Sequence, residues 1–395
     1  MNPRVVLKPG REKSVRQRHP WVFSGAIARV EGAPGAGDVV DVLSGEGEFL
    51  ARGCYSPRSQ IRVRLCTWDV DEPVDAAFLR RRLERALTGR AALFEDPATT
   101  AFRVVHAESD GLPGVIVDRY GPFLVVQLLT QGAEVWRREL VDQLVARLSP
   151  AGIYERDDVP VRRLEGLPLR TGQLWGEEPP DRLEVLEGGI PFWVDLRRGH
   201  KTGAYLDQRE NRLRLGPLCV AKEVLDGFTH SGWFAIHAAV RGAADVVGLD
   251  SSAEALRLAA ENARLNRVED RVHWVEGNAF EELRRWRAEG RSFDVVILDP
   301  PKFAERASQV MSACRGYKDI NLLGMQLLRP GGLLATFSCS GLVSADLFQK
   351  VVFGASLDAR REVQILAHLF QSEDHPVLLT FPEGAYLKGL LCRVW

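Results

Sequence analysis

The spacing of hydrophobic and polar positions changes along this chain. Over residues 1–70 the apolar positions come in short runs broken by turn residues: "RVVLKP", "GDVVDVLSG", "GEFLARGCY" and "QIRVRLCTW". The last alternates Ile61, Val63 and Leu65 with Arg62, Arg64 and Cys66, the period of a half-buried strand. Several short strands at this spacing predict a small β-barrel. After "TWDVDEPVD" the period lengthens, and Leu79, Leu83 and Leu87 predict a helix over "AAFLRRRLERALTGRAALF". Then "FRVVHAESDGLPGVIVDRYGPFLVVQLL" reads as three strands joined by Gly- and Pro-containing turns. Residues 71–185 therefore form a middle α/β segment, closing in the loop-like "TGQLWGEEPPDR" of 171–182.

From residue 186 to 395, buried-type strands alternate with amphipathic helices: "AKEVLDGF", "ADVVGLD", "VHWVEGN", "FDVVILDPP" and "GLLATFSCS". That rhythm belongs to a doubly wound, mainly parallel sheet, so the whole is an α/β multidomain chain. The helix after "GLD" places Ser251 and Glu254 at capping-box spacing, with Leu256, Ala260 and Ala263 as its inner stripe.

Composition narrows the class. Of 395 residues 45% are hydrophobic and 27% charged, as in ordinary globular proteins, and no apolar run approaches the ~20 residues of a membrane span. The N-terminus lacks the apolar core of a signal peptide, so a cytoplasmic location is expected. The six cysteines are scattered without a CxxC pair, which argues against structural zinc and a disulfide framework. Net charge is −1, yet residues 1–70 carry eleven Lys and Arg against seven Asp and Glu. Six of those cations, Arg16 and Arg18 among them, lie in the first twenty positions, ahead of Trp21 and Phe23. A phosphate backbone selects such a face, and a solvated surface accounts for it equally well.

Ligands of open α/β sheets bind beyond the carboxyl ends of the strands. Those positions read "LDGFTHSGWF", "GLD", "EGN", "DPPK" and "SCS". Asp250 stands 24 residues beyond Asp226, where a carboxylate accepts hydrogen bonds from ribose hydroxyls of either a nicotinamide or an S-adenosylmethionine cofactor. "DPP", Asp299-Pro300-Pro301, fixes an extended backbone without N–H donors. It resembles the fourth motif of class I S-adenosylmethionine-dependent methyltransferases that act on nucleic-acid bases.

The order "GHKTGAYLDQREN", "VLDGFTHSGWFAIHAA", "LDSSAEAL", "DPPKFA", "GYKDINLLGMQLLRPGGLL" and "TFSCSG" is similar to the RlmI-type family of 23S ribosomal RNA (cytosine-5) methyltransferases. The N-terminal "GREKSVRQRHPWVFSGAI" and the strands that follow resemble that family's RNA-binding PUA barrel, so the likeness spans essentially the whole chain. It implies S-adenosyl-L-methionine as cofactor and 23S ribosomal RNA as partner. Tyr205, Arg209, Asp226, Phe228, Gly232, Asp250, Asn278 and Asp299 would surround the cofactor. The chain departs from the family at Trp233, where a second glycine is usual, and at Asn278, where an Asp is common.

Carbon 5 of cytosine is a poor nucleophile until a thiolate adds at carbon 6. Cys339 is the expected thiolate, and Asp299 the expected partner of the cytosine edge. Pro300, Pro301 and Lys302 would shape the base slot, and Arg16 and Arg18 would hold the RNA backbone. Two other readings remain: methylation of a base nitrogen of guanine or adenine with Cys339 as packing, and an RNA-binding assembly factor without catalysis. No pattern in the sequence distinguishes a monomer from a homodimer.

Overall fold

Val5, Leu7, Val22, Val40, Val42, Val63 and Leu65 alternate along their strands and share one apolar interior. The structure, a computed structural model that describes residues 2–304 and 306–395, places those strands in a six-stranded sheet. Its order is Trp21–Phe23, Ile61–Thr67, Phe49–Tyr55, Val39–Leu43, Arg4–Leu7, Ile27–Glu31. The opposite face of Ile61–Thr67 is buried too. Cys66 packs against Phe78, Leu79 and Leu83 of helix Ala76–Thr88, while Arg64 pairs with Glu165 at 2.9 Å and Glu108 at 3.5 Å. Arg64 is thus interior and neutralised by carboxylates instead of water, while Arg62 is half-buried and donates to the Ser56 and Pro57 carbonyls.

The helix expected through residue 94 is interrupted at Gly89, and a second short helix, Ala91–Glu95, follows. The buried stripe of Ala76–Thr88 is Phe78, Leu79, Leu83 and Ala86, with Leu87 only half-buried. The Asp75 carboxylate accepts the Phe78 N–H and fixes the start. A five-stranded sheet follows, ordered Arg170–Gly176, Gly152–Asp157, Phe123–Leu128, Val115–Tyr120, Ala101–His106. The first of these corrects the expected loop at 171–182 over 171–176, while 177–182 is loop as expected. It is an edge strand antiparallel to Gly152–Asp157, and its two glycines and mostly exposed positions hide the strand signal. Glu108 also accepts from Trp21 Nε1 at 2.8 Å, and Asp110 grips Arg90 through two bonds of 2.8 Å.

These sheets lie in a unit holding the chain up to Val185 together with Val194–Leu206 and Glu373–Gly384. A second unit holds Leu186–Trp193, Asp207–Ser372 and Ala385–Trp395. It contains a seven-stranded sheet ordered Val272–Glu276, Asp245–Asp250, Glu223–Gly227, Phe293–Leu298, Leu328–Ser338, Lys388–Val394, Val363–Phe370. The first five strands are parallel; Lys388–Val394 runs against them, and Val363–Phe370 pairs antiparallel with it, two strands the sequence did not predict.

One cap and one stripe are displaced. Ser252, not Ser251, caps helix Ala253–Leu265 by accepting the Ala255 N–H, and the buried positions are Ala255, Leu256, Ala259, Asn262 and Ala263. Asp250 accepts the Ser252 N–H in an Asx turn, which moves the helix start one residue on and leaves Ala260 half-buried. Among the described residues no helix is long and apolar enough to cross a membrane.

Candidate active site

The parallel strands deliver three carboxylates to one sheet edge. Gly227 is in register with Leu249 on one side and Leu298 on the other, so Asp226, Asp250 and Asp299 stand at the ends of three adjacent strands. After Gly227 the chain turns through Phe228 (φ 65°), His230 (φ 50°) and Gly232 (φ 83°) into helix Trp233–Val240. A Cβ on Gly232 would lie 2.6 Å from the Trp274 ring, so the position requires glycine on two counts. Left-handed non-glycine residues in one turn store strain, which the surroundings must hold. Here Asp226 holds it: one carboxylate oxygen accepts the Thr229 hydroxyl at 2.5 Å and the Ala235 N–H at 3.0 Å.

The other Asp226 oxygen is buried with no hydrogen-bond partner. Burial pushes this carboxyl up to about 7, against the lowering effect of the Thr229 and Ala235 hydrogen bonds and with the negative charge of Asp299 and Asp250 adding to it. Asp250 accepts the His230 N–H at 2.8 Å and the Ser252 N–H at 2.9 Å, leaving lone pairs on both oxygens for hydroxyl donors. Three carboxylates, one with an unsatisfied buried oxygen, suit a ligand that brings positive charge and ribose hydroxyls.

The two departures from the family have structural answers. Trp233 stacks on Phe192 at 4.1 Å and 13°, with the Arg212 guanidinium 4.9 Å from its ring, so it packs beneath the helix. Asn278 is exposed and caps helix Ala279–Ala288 by accepting the Phe280 N–H at 2.9 Å. Arg209 is buried at the start of helix Arg209–Leu215, and the preceding Gln208 donates to Asp299 at 3.0 Å. The sequence singled out "GAYLDQREN" but missed Gln208. Tyr205 belongs to the first unit, where its hydroxyl meets His200 Nδ1 at 3.1 Å and the Lys201 ammonium sits 4.3 Å from its ring centre.

Cys339 follows the strand paired with the one that ends before Asp299. It is half-buried, whereas Cys54, Cys66, Cys219 and Cys392 are buried. The loop after it is tied down. The Ser340 hydroxyl meets the Tyr317 hydroxyl at 3.0 Å, and Lys388 Nζ donates to the Ser340 carbonyl at 2.6 Å and the Val343 carbonyl at 2.7 Å. Lys388 stands opposite Ser338 on an antiparallel strand, far along the chain, and no local motif marks it. Pro300 is buried; Pro301 and Lys302 are exposed.

In the first unit Arg16 and Arg18 are both exposed, and Arg16 is held by Glu48 through bonds of 3.1 and 2.5 Å. Trp21 packs edge-on against Phe381 at 4.7 Å, which makes it structural, while Phe23 remains 48% exposed.

The chain resembles known proteins along its whole length. Residues 5–68 match the family described as a PUA-like domain, and residues 132–393 the family described as S-adenosylmethionine-dependent methyltransferase. The chain is 52% identical to "Ribosomal RNA large subunit methyltransferase I" of Shewanella denitrificans over 99% of both chains. It is 49% identical to the protein of the same name from Klebsiella pneumoniae, over 99% of this chain and 98% of that one. Among solved structures it is similar in fold to a candidate methyltransferase from Streptococcus mutans, with TM-score 0.85, 21% identity and 99% of both chains covered. It is similar also to SMU.776, solved with S-adenosylhomocysteine, with TM-score 0.87, 22% identity and 99% of both chains covered.

Proposed function

Because the chain belongs to the S-adenosylmethionine-dependent methyltransferases of the ribosomal RNA large subunit methyltransferase I family, we propose that it methylates carbon 5 of a cytosine in 23S ribosomal RNA, with Cys339 as nucleophile. The observation that carries the reading is a half-buried cysteine at the carboxyl end of the strand beside Asp299. S-adenosylmethionine supplies an electrophilic methyl group. Asp250 would accept its ribose hydroxyls, and the unsatisfied Asp226 oxygen, at the positive-φ turn of Phe228 and Gly232, would answer its positive charge.

The Cys339 thiolate adds to carbon 6 of the cytosine, and the electron pair of the 5,6 double bond makes carbon 5 nucleophilic. Asp299, oriented by Gln208, accepts from the exocyclic amine and, having taken a proton from solvent, donates it toward N3 as negative charge reaches that nitrogen. Pro300 and Pro301 give the slot a flat wall without N–H donors. Carbon 5 takes the methyl group as its bond to the sulfonium sulfur breaks, leaving S-adenosylhomocysteine; the carbon 5 proton then passes to water, and its electron pair restores the 5,6 double bond and expels the Cys339 thiolate. The target base must be unstacked to enter, at a cost of a few kcal/mol. The N-terminal PUA-like domain supplies the backbone contacts, with Arg18 as a freer cation than the paired Arg16.

The test is nucleoside mass spectrometry of 23S ribosomal RNA lacking the modification, incubated with cofactor and either wild type or Cys339→Ala. We expect 5-methylcytosine with the wild type alone. A methylated purine formed equally by both proteins would assign the site to base-nitrogen chemistry, with Cys339 as packing.

A further inference from the structure

We propose that Lys388 is a positioning residue that fixes the loop after Cys339 and presents its ammonium to the Cys339 sulfur, so that the thiol is ionised before the base arrives. This rests on the reading of Cys339 as nucleophile. The geometry begins with the antiparallel pairing that sets Lys388 across from Ser338, one residue before the cysteine. Its side chain is only 6% exposed. A lysine ammonium has three N–H donors, and the Ser340 and Val343 carbonyls take two of them at 2.6 and 2.7 Å. Those carbonyls bracket the loop that starts at Cys339, so the charge is held against that loop by backbone, not by a flexible carboxylate.

A buried ammonium ordinarily has an anionic partner, because an isolated charge is costly away from water. Among the described residues no carboxylate pairs with Lys388. The titratable groups in its field are Cys339, of opposite charge once ionised, and Lys302, of like charge. From the helix Val310–Gln326, Tyr317 also faces Cys339, and burial keeps its phenol neutral. The anion that completes the site is therefore the thiolate. Burial, with the like charge of Lys302 adding to it, brings Lys388 down to about 8 even though the Cys339 charge pulls the other way, as expected of a pair whose members stabilise each other. By the same linkage an ammonium held against this loop favours the thiolate of Cys339 over its thiol. The thiol proton goes to solvent, and Lys388 is neither consumed nor deprotonated in the reaction.

The experiment uses the full-length protein without RNA. Iodoacetamide labels it over pH 5.5 to 10, and the rate at Cys339 is read from its peptide by mass spectrometry, with Cys314 as reference in the same digest. In the wild type the half-maximal rate should fall about one pH unit or more below ~8.5. Lys388→Met should raise that midpoint by at least one unit and slow labelling at pH 7 about tenfold, whereas Lys388→Arg should stay near the wild type because the charge is kept. A wild-type midpoint at or above ~8.5 overturns the pairing, even if Lys388→Met does not fold. So does a midpoint unchanged in a folded Lys388→Met. Labelling requires no turnover, so a Cys339→Ala enzyme that still methylates would refute the functional reading while leaving the pairing to stand or fall on the pH profile.

Discussion

Replacing Asp226 with Asn should make the cofactor-free protein more stable at pH 8 relative to wild type than it is at pH 5. The carboxyl is fully buried and its folded value lies at about 7, against ~3.9 in an unfolded chain. The sign follows from that direction. Below the unfolded value the group is neutral in both states and costs nothing. As pH rises from about 4 to 7 the unfolded chain gains a solvated carboxylate that the folded protein resists, so stability is lost across that window. At pH 8 the loss is about 4 kcal/mol, and at pH 5 about 1–2 kcal/mol. Asparagine removes this term. It keeps an oxygen for the Thr229 and Ala235 donors but buries an amide N–H without a partner, at a cost of about 1–3 kcal/mol.

That cost is the same at both pH values and cancels in the difference. The stability of Asp226→Asn relative to wild type should therefore rise by about 2–3 kcal/mol between pH 5 and pH 8. Urea unfolding of the second unit at the two pH values measures it, and titration with S-adenosylmethionine should show weaker binding by the same variant. A relative stability independent of pH would refute the argument that this carboxylate is kept strained for a cationic ligand.

Gly232→Ala should abolish cofactor binding and destabilise the turn by at least 1–3 kcal/mol, since the new methyl meets the Trp274 ring at a positive φ; calorimetry and cofactor titration read both effects. Arg212→Leu should cost about 3–5 kcal/mol in urea unfolding at pH 7, because it leaves Glu187 buried without its guanidinium. Arg212 and His237 hold Glu187 down at about 2 against the opposing effect of burial, so this contribution is full above ~4.3 and is lost as pH falls toward 2. Reversing Arg16 and Arg18 to Glu should weaken RNA binding and reduce its salt slope by about 0.7–0.9 for each phosphate contact removed. An unchanged slope in a filter-binding series would place the RNA on another surface.

The parallel strands and their carboxyl-end residues were legible in the sequence because buried parallel strands are continuous apolar runs and the groups after them are polar. Asp226, Asp250 and Asp299 stand at adjacent strand ends for that reason alone. What stayed hidden depends on tertiary pairing. Arg64 looked like a solvent-facing residue and is buried against Glu165 and Glu108. The edge strand Arg170–Gly176 has no pattern of its own and exists through Gly152–Asp157. Lys388 reaches the loop after Cys339 only because the last strand runs antiparallel beside Leu328–Ser338, a step outside the parallel rhythm. Local hydrogen bonds moved boundaries by single residues, as the Asx turn at Asp250 did to the helix that Ser252 caps.

The proposed mechanism turns on a covalent bond between Cys339 and carbon 6 of the target base. RNA carrying 5-fluorocytidine tests it directly, because carbon 5 then has fluorine where the departing proton should be and the thiolate cannot be expelled. Incubation with S-adenosylmethionine should give a protein–RNA adduct that survives denaturing electrophoresis, maps to the Cys339 peptide and is absent from Cys339→Ala. No adduct with the wild type under conditions where ordinary RNA is methylated, or an adduct mapping to another cysteine, would contradict it.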